Sequence, residues 1–411
     1  MIDALTLFEF WPSGHTPNFV RLIIEACRKH RIGCLRVIVS KRFLDQHQFV
    51  FDGFENVPGS PLRWVALDDV DEAALNAAHA YIAGIGPQPE HLPTLHWELV
   101  EKYGRRFPSR HILLMSLDLY PLALSTGRLA PADFSGIFFL PHFYYRPASR
   151  PSVFDSLQER LVLRLLNHPQ LRAAFFLDLD VANSLKGKGT AQVIHLQDPV
   201  RLPKHRATRA DKVAARLRLG APAGRKLFLF FGDVTGRKGL MELIDSLGAL
   251  TTEEMQHMCL AVVGHAEPHI ERRLAPRLER LAAATPLSIM RRAAYVDEAE
   301  LGDWFTAADV VLAPYMHHVG MSGILLLAAA YRRPVISQDF GPMGRLTRDY
   351  RLGLTVNPSD PSALAGAMRS FLGETPPPVF DPEVAFALAK EQSQEKFADT
   401  LLEKLGPYIG E

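Results

Sequence analysis

The sequence predicts an α/β protein of two open parallel-sheet units, and three observations carry that expectation. Short apolar runs alternate with longer stretches of helical periodicity, the pattern of βαβ units. The chain has 411 residues, more than one ordinary core holds and about right for two domains. The strand pattern also starts afresh at residue 226, after a stretch rich in proline and basic residues.

In the first half, residues 5–10, 35–39, 112–117, 136–140, 173–177 and 192–196 read as strands. Between the first two, residues 19–30 place Phe19, Leu22, Ile23, Ala26 and Cys27 at helical spacing, with Asn18 as N-cap. Residues 198–224 then carry Pro199, Pro203 and Pro222 among Arg201, Lys204, His205, Arg206, Arg209, Lys212, Arg216 and Arg218. We read this stretch, bounded at 201–224, as a basic interdomain linker followed by a short basic helix over 211–219 that opens the second domain. A solvated helix face explains most such clusters; contact with phosphate or a membrane surface is the alternative.

The second half repeats the pattern, with strands at 226–231, 259–263, 310–313 and 334–337 and a helix at 240–250. A proline-rich break at 374–382 precedes a last helix at 382–405, and such a break lets a terminal helix leave its domain. The expected division is therefore 1–200, the linker, 225–380, and a terminal crossover segment at 381–411.

Composition excludes several classes. Hydrophobic residues at 47% and charged residues at 22% suit a soluble globular chain rather than a disordered one. A formal net charge of +1 supplies no global field for nucleic acid, so any anion site must be local. Cys27, Cys34 and Cys259 have no zinc spacing and form no disulfide framework, which points to a reducing compartment. The first residues include Asp3 and Glu9 and lack a basic start, so they read as a strand and not a signal peptide. No stretch has the length and apolarity of a membrane span. A cytoplasmic protein is expected, with the inner face of a membrane as its one peripheral contact, through the basic linker.

Two segments carry chemistry. FLFFGDVTGRKG at 228–239 is a buried strand ending in Gly232, then a turn and Arg237-Lys238-Gly239 at a helix start. Open α/β sheets bind ligands beyond the carboxyl ends of strands, and a helix N-terminus favours anions. The second segment, 308–340, is a strand ending at Pro314, a polar loop, and Gly320-Met321-Ser322-Gly323 opening an apolar helix. Glycines there let a ligand approach the backbone, and Ser322 can cap the helix or donate to a phosphate oxygen. The bland reading, tight turns and close packing, fits each loop alone better than both together.

Taken in order, FxG…RKGL, AVVG at 261–264, YVDEAELGDWFTAADVVLAPY, SGxLLLAxAxxRPVI, DFG and LGLTVNPSDPSAL resemble the retaining GT-B glycosyltransferases of the family-four (group 1) type, over nearly all of 226–372. The resemblance implies two facing Rossmann-like domains, with the C-terminal helix packed back on the N-terminal domain. It implies a UDP- or GDP-sugar as donor, a glycan, lipid-linked or small-molecule acceptor, and no metal or other cofactor. Polysaccharide or glycolipid biosynthesis is the implied setting. Lys238, with Arg237 beside it, would hold the donor diphosphate, as would the loop of His317, Gly320, Met321, Ser322 and Gly323. Gly232, Gly264, His265, Tyr295 and Asp339 would shape the donor pocket. On the acceptor side, Gly14 and His15 follow the first strand, His142 matches the site of a histidine near the transferred sugar, and Tyr144 offers a stacking surface.

The sequence departs from that family in its second half. Asp233 stands where the family has an arginine ahead of the lysine. A pair of glutamates flanks the phosphate loop in many members, and here those positions are Val319 and Leu327. The second glutamate normally holds the ribose hydroxyls, so a catalytically silent GT-B partner protein is the rival reading. Asp178-Leu179-Asp180 resembles a metal motif of another glycosyltransferase fold but reads here as a turn or cap. His317-His318 lacks a carboxylate or cysteine cluster and does not read as a metal pair.

Overall fold

The computed structural model describes residues 2–11, 16–57, 59–82, 94–145, 153–266, 268–373 and 377–410. The chain divides into two compact units, Met1–Pro199 with Gln394–Glu411, and Val200–Ser393. Each is a doubly wound parallel sheet flanked by helices.

In the first unit the strands are β1 (Asp3–Glu9), β2 (Leu35–Val39), β3 (Leu62–Ala66), β4 (Ser109–Leu114), β5 (Asp133–Phe138), β6 (Leu171–Phe176) and β7 (Gln192–His195). They lie in the order β3-β2-β1-β4-β5-β6-β7, so the winding reverses between β1 and β4. One face is covered by an aromatic core in which Phe8, Phe10, Trp97, Tyr103, Tyr120 and Phe134 are almost wholly buried. At the amino end of β1, buried Asp3 accepts from Arg36 Nε at 2.6 Å and pairs with Arg63, tying three neighbouring strands.

In the second unit the strands are β8 (Lys226–Phe231), β9 (Met258–Val263), β10 (Ser288–Arg292), β11 (Val310–Ala313), β12 (Val335–Gln338) and β13 (Gly353–Val356). Their order, β10-β9-β8-β11-β12-β13, again reverses beside the first strand of the unit, between β8 and β11. Separate cores cover its two faces, one built on Phe305, Leu325 and Leu326 and the other on Phe228, Phe230 and Leu260.

Several expectations are corrected. β3, β10 and β13 were not read as strands. LRWVA and SIMRR are edge strands whose side chains are mostly half-buried, so they lack a continuous apolar run. The strand expected at 112–117 is Ser109–Leu114, because Leu117 begins a 3-10 turn. Asn18 is not an N-cap. The helix starts at Thr16, and Asn18 lies inside its first turn.

The boundaries also differ from the expected division. The basic stretch belongs to the second unit from Val200 on, and the helix expected to open that unit runs Arg209–Leu219 and packs on Glu298–Ala307. A capping box of Thr208 and Asp211 starts it, and Gly220 in the left-handed region ends it. The terminal segment is two helices. Pro382–Glu391 packs on Gly323–Ala330 in the second unit, whereas Gln394–Ile409 packs on Thr16–Lys29 in the first. The division falls between Ser393 and Gln394, next to the bridge from Ser393 to Val200. The last helix thus packs on the N-terminal unit, as the resemblance implies.

Phe397 anchors that last helix, fully buried with its ring edge-on to Phe19 at 5.2 Å. Phe397→Ala is expected to destabilise the first unit by about 3–5 kcal/mol. Urea unfolding followed by hydrogen exchange should show the loss in β1 and not in β8.

Candidate functional site

At a reversal of strand order in an open α/β sheet, adjacent strand ends splay apart and leave a crevice for ligands. In the second unit that place lies beyond the carboxyl ends of β8 and β11. Both chemistry-bearing segments leave the sheet there.

The β8 segment turns through Gly232 into a 3-10 turn, Gly236–Lys238. Lys238 is buried, 6% exposed, and its Nζ donates to the Phe231 carbonyl at 3.3 Å. That ammonium lies against Gly232, where any Cβ would collide with it, and Ile324 at the start of the next helix flanks the same point. Gly239 has φ +70°, and a Cβ there would strike the Pro314 carbonyl, so only glycine lets the two loops touch. Met316 N–H donates to the Arg237 carbonyl at 2.8 Å, which locks the β8 loop to the β11 loop.

Tyr315 sits between the two cations, with Lys238 Nζ 5.8 Å and the exposed Arg237 guanidinium 5.7 Å from its ring centre. Ser322 does not cap the helix Gly323–Ala330. Its buried hydroxyl donates to Tyr315 Oη at 3.4 Å, so the ring is held from both loops. Gly320 is buried, Met321 packs on the core, and His317 occupies the left-handed region at φ 50° with its ring edge-on to Phe340. Gln338 fixes this loop: its Oε1 accepts from His318 N–H at 2.9 Å, and its Nε2 donates to His318 O at 2.6 Å and Phe340 O at 2.9 Å.

At the neighbouring strand end, Gly264 abuts the Gly232 carbonyl, and His265 stacks on Tyr295 at 5.2 Å with planes 7° apart. Tyr295 is largely exposed, and partial desolvation with the Asp233 charge raises its phenol above the ordinary pKa. Asp339 is exposed at the end of β12. Val319 is buried and Leu327 packs into the core, so neither glutamate position offers a carboxylate.

The structure therefore brings Lys238, Arg237, Gly232, Ser322 and Gly323 to one crevice, with His317, Gly320 and Met321 on the loop that closes it. Among the described residues, Lys238 has no carboxylate partner. A buried ammonium held only by a carbonyl and an aromatic face leaves room for an anion. Tyr315 and Gln338 are site residues that no local sequence signal marks.

On the first unit, Gly14 and His15 lie outside the described residues. His142 and Tyr144 are exposed on the turn after β5, whose first amides are held by Asp118: Phe139 N–H donates at 2.8 Å and Leu140 N–H at 3.0 Å. Asp178 caps the helix Leu179–Leu185, accepting from Asp180 N–H at 2.8 Å and Val181 N–H at 3.3 Å, and Tyr145 donates to its other oxygen. The cap reading of this motif holds. Glu9, at the carboxyl end of β1, was not foreseen as a site residue. Its Oε1 accepts from Trp11 N–H at 2.6 Å, and burial pushes its pKa up to about 8 against the lowering effect of its hydrogen bonds to Trp11 and Thr16.

Two doubly wound units, the second bearing a cation and a helix start at its strand reversal, define a GT-B glycosyltransferase fold. Solved structures agree across the whole chain. Trehalose 6-phosphate synthase of Burkholderia multivorans superposes with a TM-score of 0.67 at 13% identity, covering 98% of both chains. Anabaena HepE in complex with UDP gives 0.65 at 14%, covering 98% of this chain and 99% of that one. Residues 225–374, most of the second unit, match the model of the family Glycosyl transferases group 1. A "D-inositol 3-phosphate glycosyltransferase 2" of Catenulispora acidiphila is 31% identical over 172 residues, 39% of this chain and 38% of that protein. A "D-inositol 3-phosphate glycosyltransferase" of Streptomyces avermitilis is 31% identical over 191 residues, 45% and 39% of the two chains. These alignments span less than half the length of the curated relatives.

Glu9 gives a pH test. Its folded pKa of about 8 lies above the ordinary 4.5, so the folded state holds an extra proton between those values. Stability from this group is full below pH 4.5 and is lost as pH rises through 8. Glu9→Gln should therefore match the parent in melting temperature at about pH 4, gain on it between pH 4.5 and 8, and keep a constant lead above pH 8. A gap that does not change with pH would exclude this role for burial.

Proposed function

We propose that this chain is a glycosyltransferase that moves a sugar from a UDP- or GDP-linked donor to a glycan, lipid-linked or small-molecule acceptor. One observation carries the reading: a buried ammonium, without a carboxylate partner among the described residues, stands beside a helix start at the strand reversal of a domain that matches the group 1 glycosyltransferase model. HepE, a structural neighbour, has been solved with UDP and with UDP-glucose. That supports a nucleotide diphosphate as the anion.

In this reading Lys238, Arg237 and the backbone N–H groups opening Gly323–Ala330 stabilise the charge that grows on the departing diphosphate. Fixed donors in a half-buried crevice act without reorganising and without a metal. The first unit supplies the acceptor contacts, with His142 and Tyr144 as the described candidates. The transfer proceeds with retention, the leaving phosphate oxygen assisting deprotonation of the acceptor. The basic segment adds a peripheral contact with an anionic membrane surface. A silent GT-B protein is the weaker reading. It draws on the apolar residues Val319 and Leu327, while the family match and named relatives favour an enzyme.

Titration calorimetry with UDP, UDP-glucose and GDP-mannose tests the donor. Lys238→Ala should weaken binding at least about tenfold and lower turnover about 10²–10³-fold. The exposed Arg237→Ala should cost only a few-fold. If no nucleotide sugar binds at millimolar concentration and Lys238→Ala changes nothing, the reading fails.

A further inference from the structure

The second unit holds another concentration of positive charge, at the opposite end of its sheet from Lys238. A cavity of about 370 Å³ opens there, between Lys226 at the start of β8, His257 just before β9, Asp309 just before β11, and the helix Arg209–Leu219. At ~3.3 Å per residue along β8, it lies roughly 16 Å from the Lys238 crevice.

Arg209, Lys212, Arg216, Arg225 and Lys226 line it against a single carboxylate, Asp309. Three of these cations build its floor. Arg216 Nε donates to Ala307 O and its Nη1 to Arg225 O, each at 3.1 Å, while its Nη2 pairs with Asp309. Lys212 Nζ donates to the other Asp309 oxygen at 2.5 Å, and Leu227 N–H donates to Asp309 at 2.7 Å. Arg225 donates through Nη1 to the carbonyls of Met258 at 3.1 Å and Pro286 at 2.6 Å. Burial, together with the Arg333 and Arg216 charges, draws the Lys212 ammonium below its ordinary pKa despite Asp309.

The other two cations are idle. Among the described residues, Arg209 and Lys226 have neither an ion pair nor a side-chain hydrogen bond. Elsewhere in the basic segment Arg201 pairs with Glu298, Arg206 with Glu383 and Arg218 with Asp303, while Lys204, outside the cavity, is unpaired among the described residues. A concave wall with a fixed floor, two idle cations and positive charge in excess of its one carboxylate is built for a multivalent anion. The cavity volume falls in the range of small-ligand pockets, and Val213 and Leu372 give part of the wall an apolar surface.

We infer that this cavity binds a phosphate monoester, carried by a soluble small molecule or by a lipid headgroup, at a site separate from the Lys238 crevice. A monoester near neutral pH carries close to two negative charges and three acceptor oxygens. Arg209 and Lys226 supply donors from two sides, and the remaining N–H groups of Arg225 supply more from the floor.

The test is titration of inorganic phosphate and glycerol phosphate into the full chain, the R209Q/K226M variant and Lys238→Ala, with circular dichroism to confirm folding. Arg209 is exposed and neither cation is bonded to the protein, so the double variant should fold. The parent and Lys238→Ala should bind alike, and R209Q/K226M should bind about tenfold more weakly or worse. Cosedimentation with phosphatidylcholine vesicles, with and without phosphatidic acid, separates the sources. Retention on phosphatidic acid that R209Q/K226M abolishes assigns a lipid headgroup; phosphate binding without that retention assigns a soluble monoester. Equal binding by parent and R209Q/K226M, loss of binding in Lys238→Ala, or no saturable binding overturns the proposal.

Discussion

Removing an ammonium from water costs several kcal/mol unless other charge or dipoles compensate it. Lys238 meets that cost with the Phe231 carbonyl and the face of Tyr315, both electrically neutral. Much of the local architecture follows from keeping this arrangement rigid. Gly232 leaves the ammonium its space, and Gly239 lets the chain pass under the Pro314 carbonyl. The bond from Met316 to Arg237 then makes the two strand-end loops one body. Gln338 steadies the far side with three bonds to His318 and Phe340. The crevice is held by backbone and neutral dipoles, so its positive charge is left for a ligand.

The two units differ in the charge at their strand reversals. In the first unit, burial favours the protonated carboxyl of Glu9, while His79 and His96 nearby are pushed down to about 4 and stay neutral. Near neutral pH the end of β1 is therefore largely uncharged, although made of ionisable residues. The corresponding place in the second unit carries a permanent cation. Similar winding thus supports two electrostatic environments.

Much of this was readable in the sequence. The central strands are short, apolar and bounded by turn residues, so their existence was plain. Gly232, Lys238 and Gly323 carry chemistry that depends on residue type at a strand end. The edge strands β3 and β10 were hidden because half-exposed strands need no apolar run. Asn18 misled because a good capping residue is no cap when Thr16 and Pro17 already start the helix. Tyr315 and Gln338 were missed for a further reason. Their roles arise from partners seven and twenty residues away, at Ser322 and His318, and nothing local marks such a pairing. The basic segment read correctly as charged, but its division between internal ion pairs and idle cations is purely tertiary.

The chain crosses between units twice, after Pro199 and after Ser393. In covalent terms the second unit is an insertion within the first. Synthesis on the ribosome therefore delivers a whole foreign domain before the helix Gln394–Ile409 that covers Thr16–Lys29. Domains usually mature in the order they emerge, but here the later one can close first. Until that helix emerges, Phe19 lacks the Phe397 ring that packs edge-on against it.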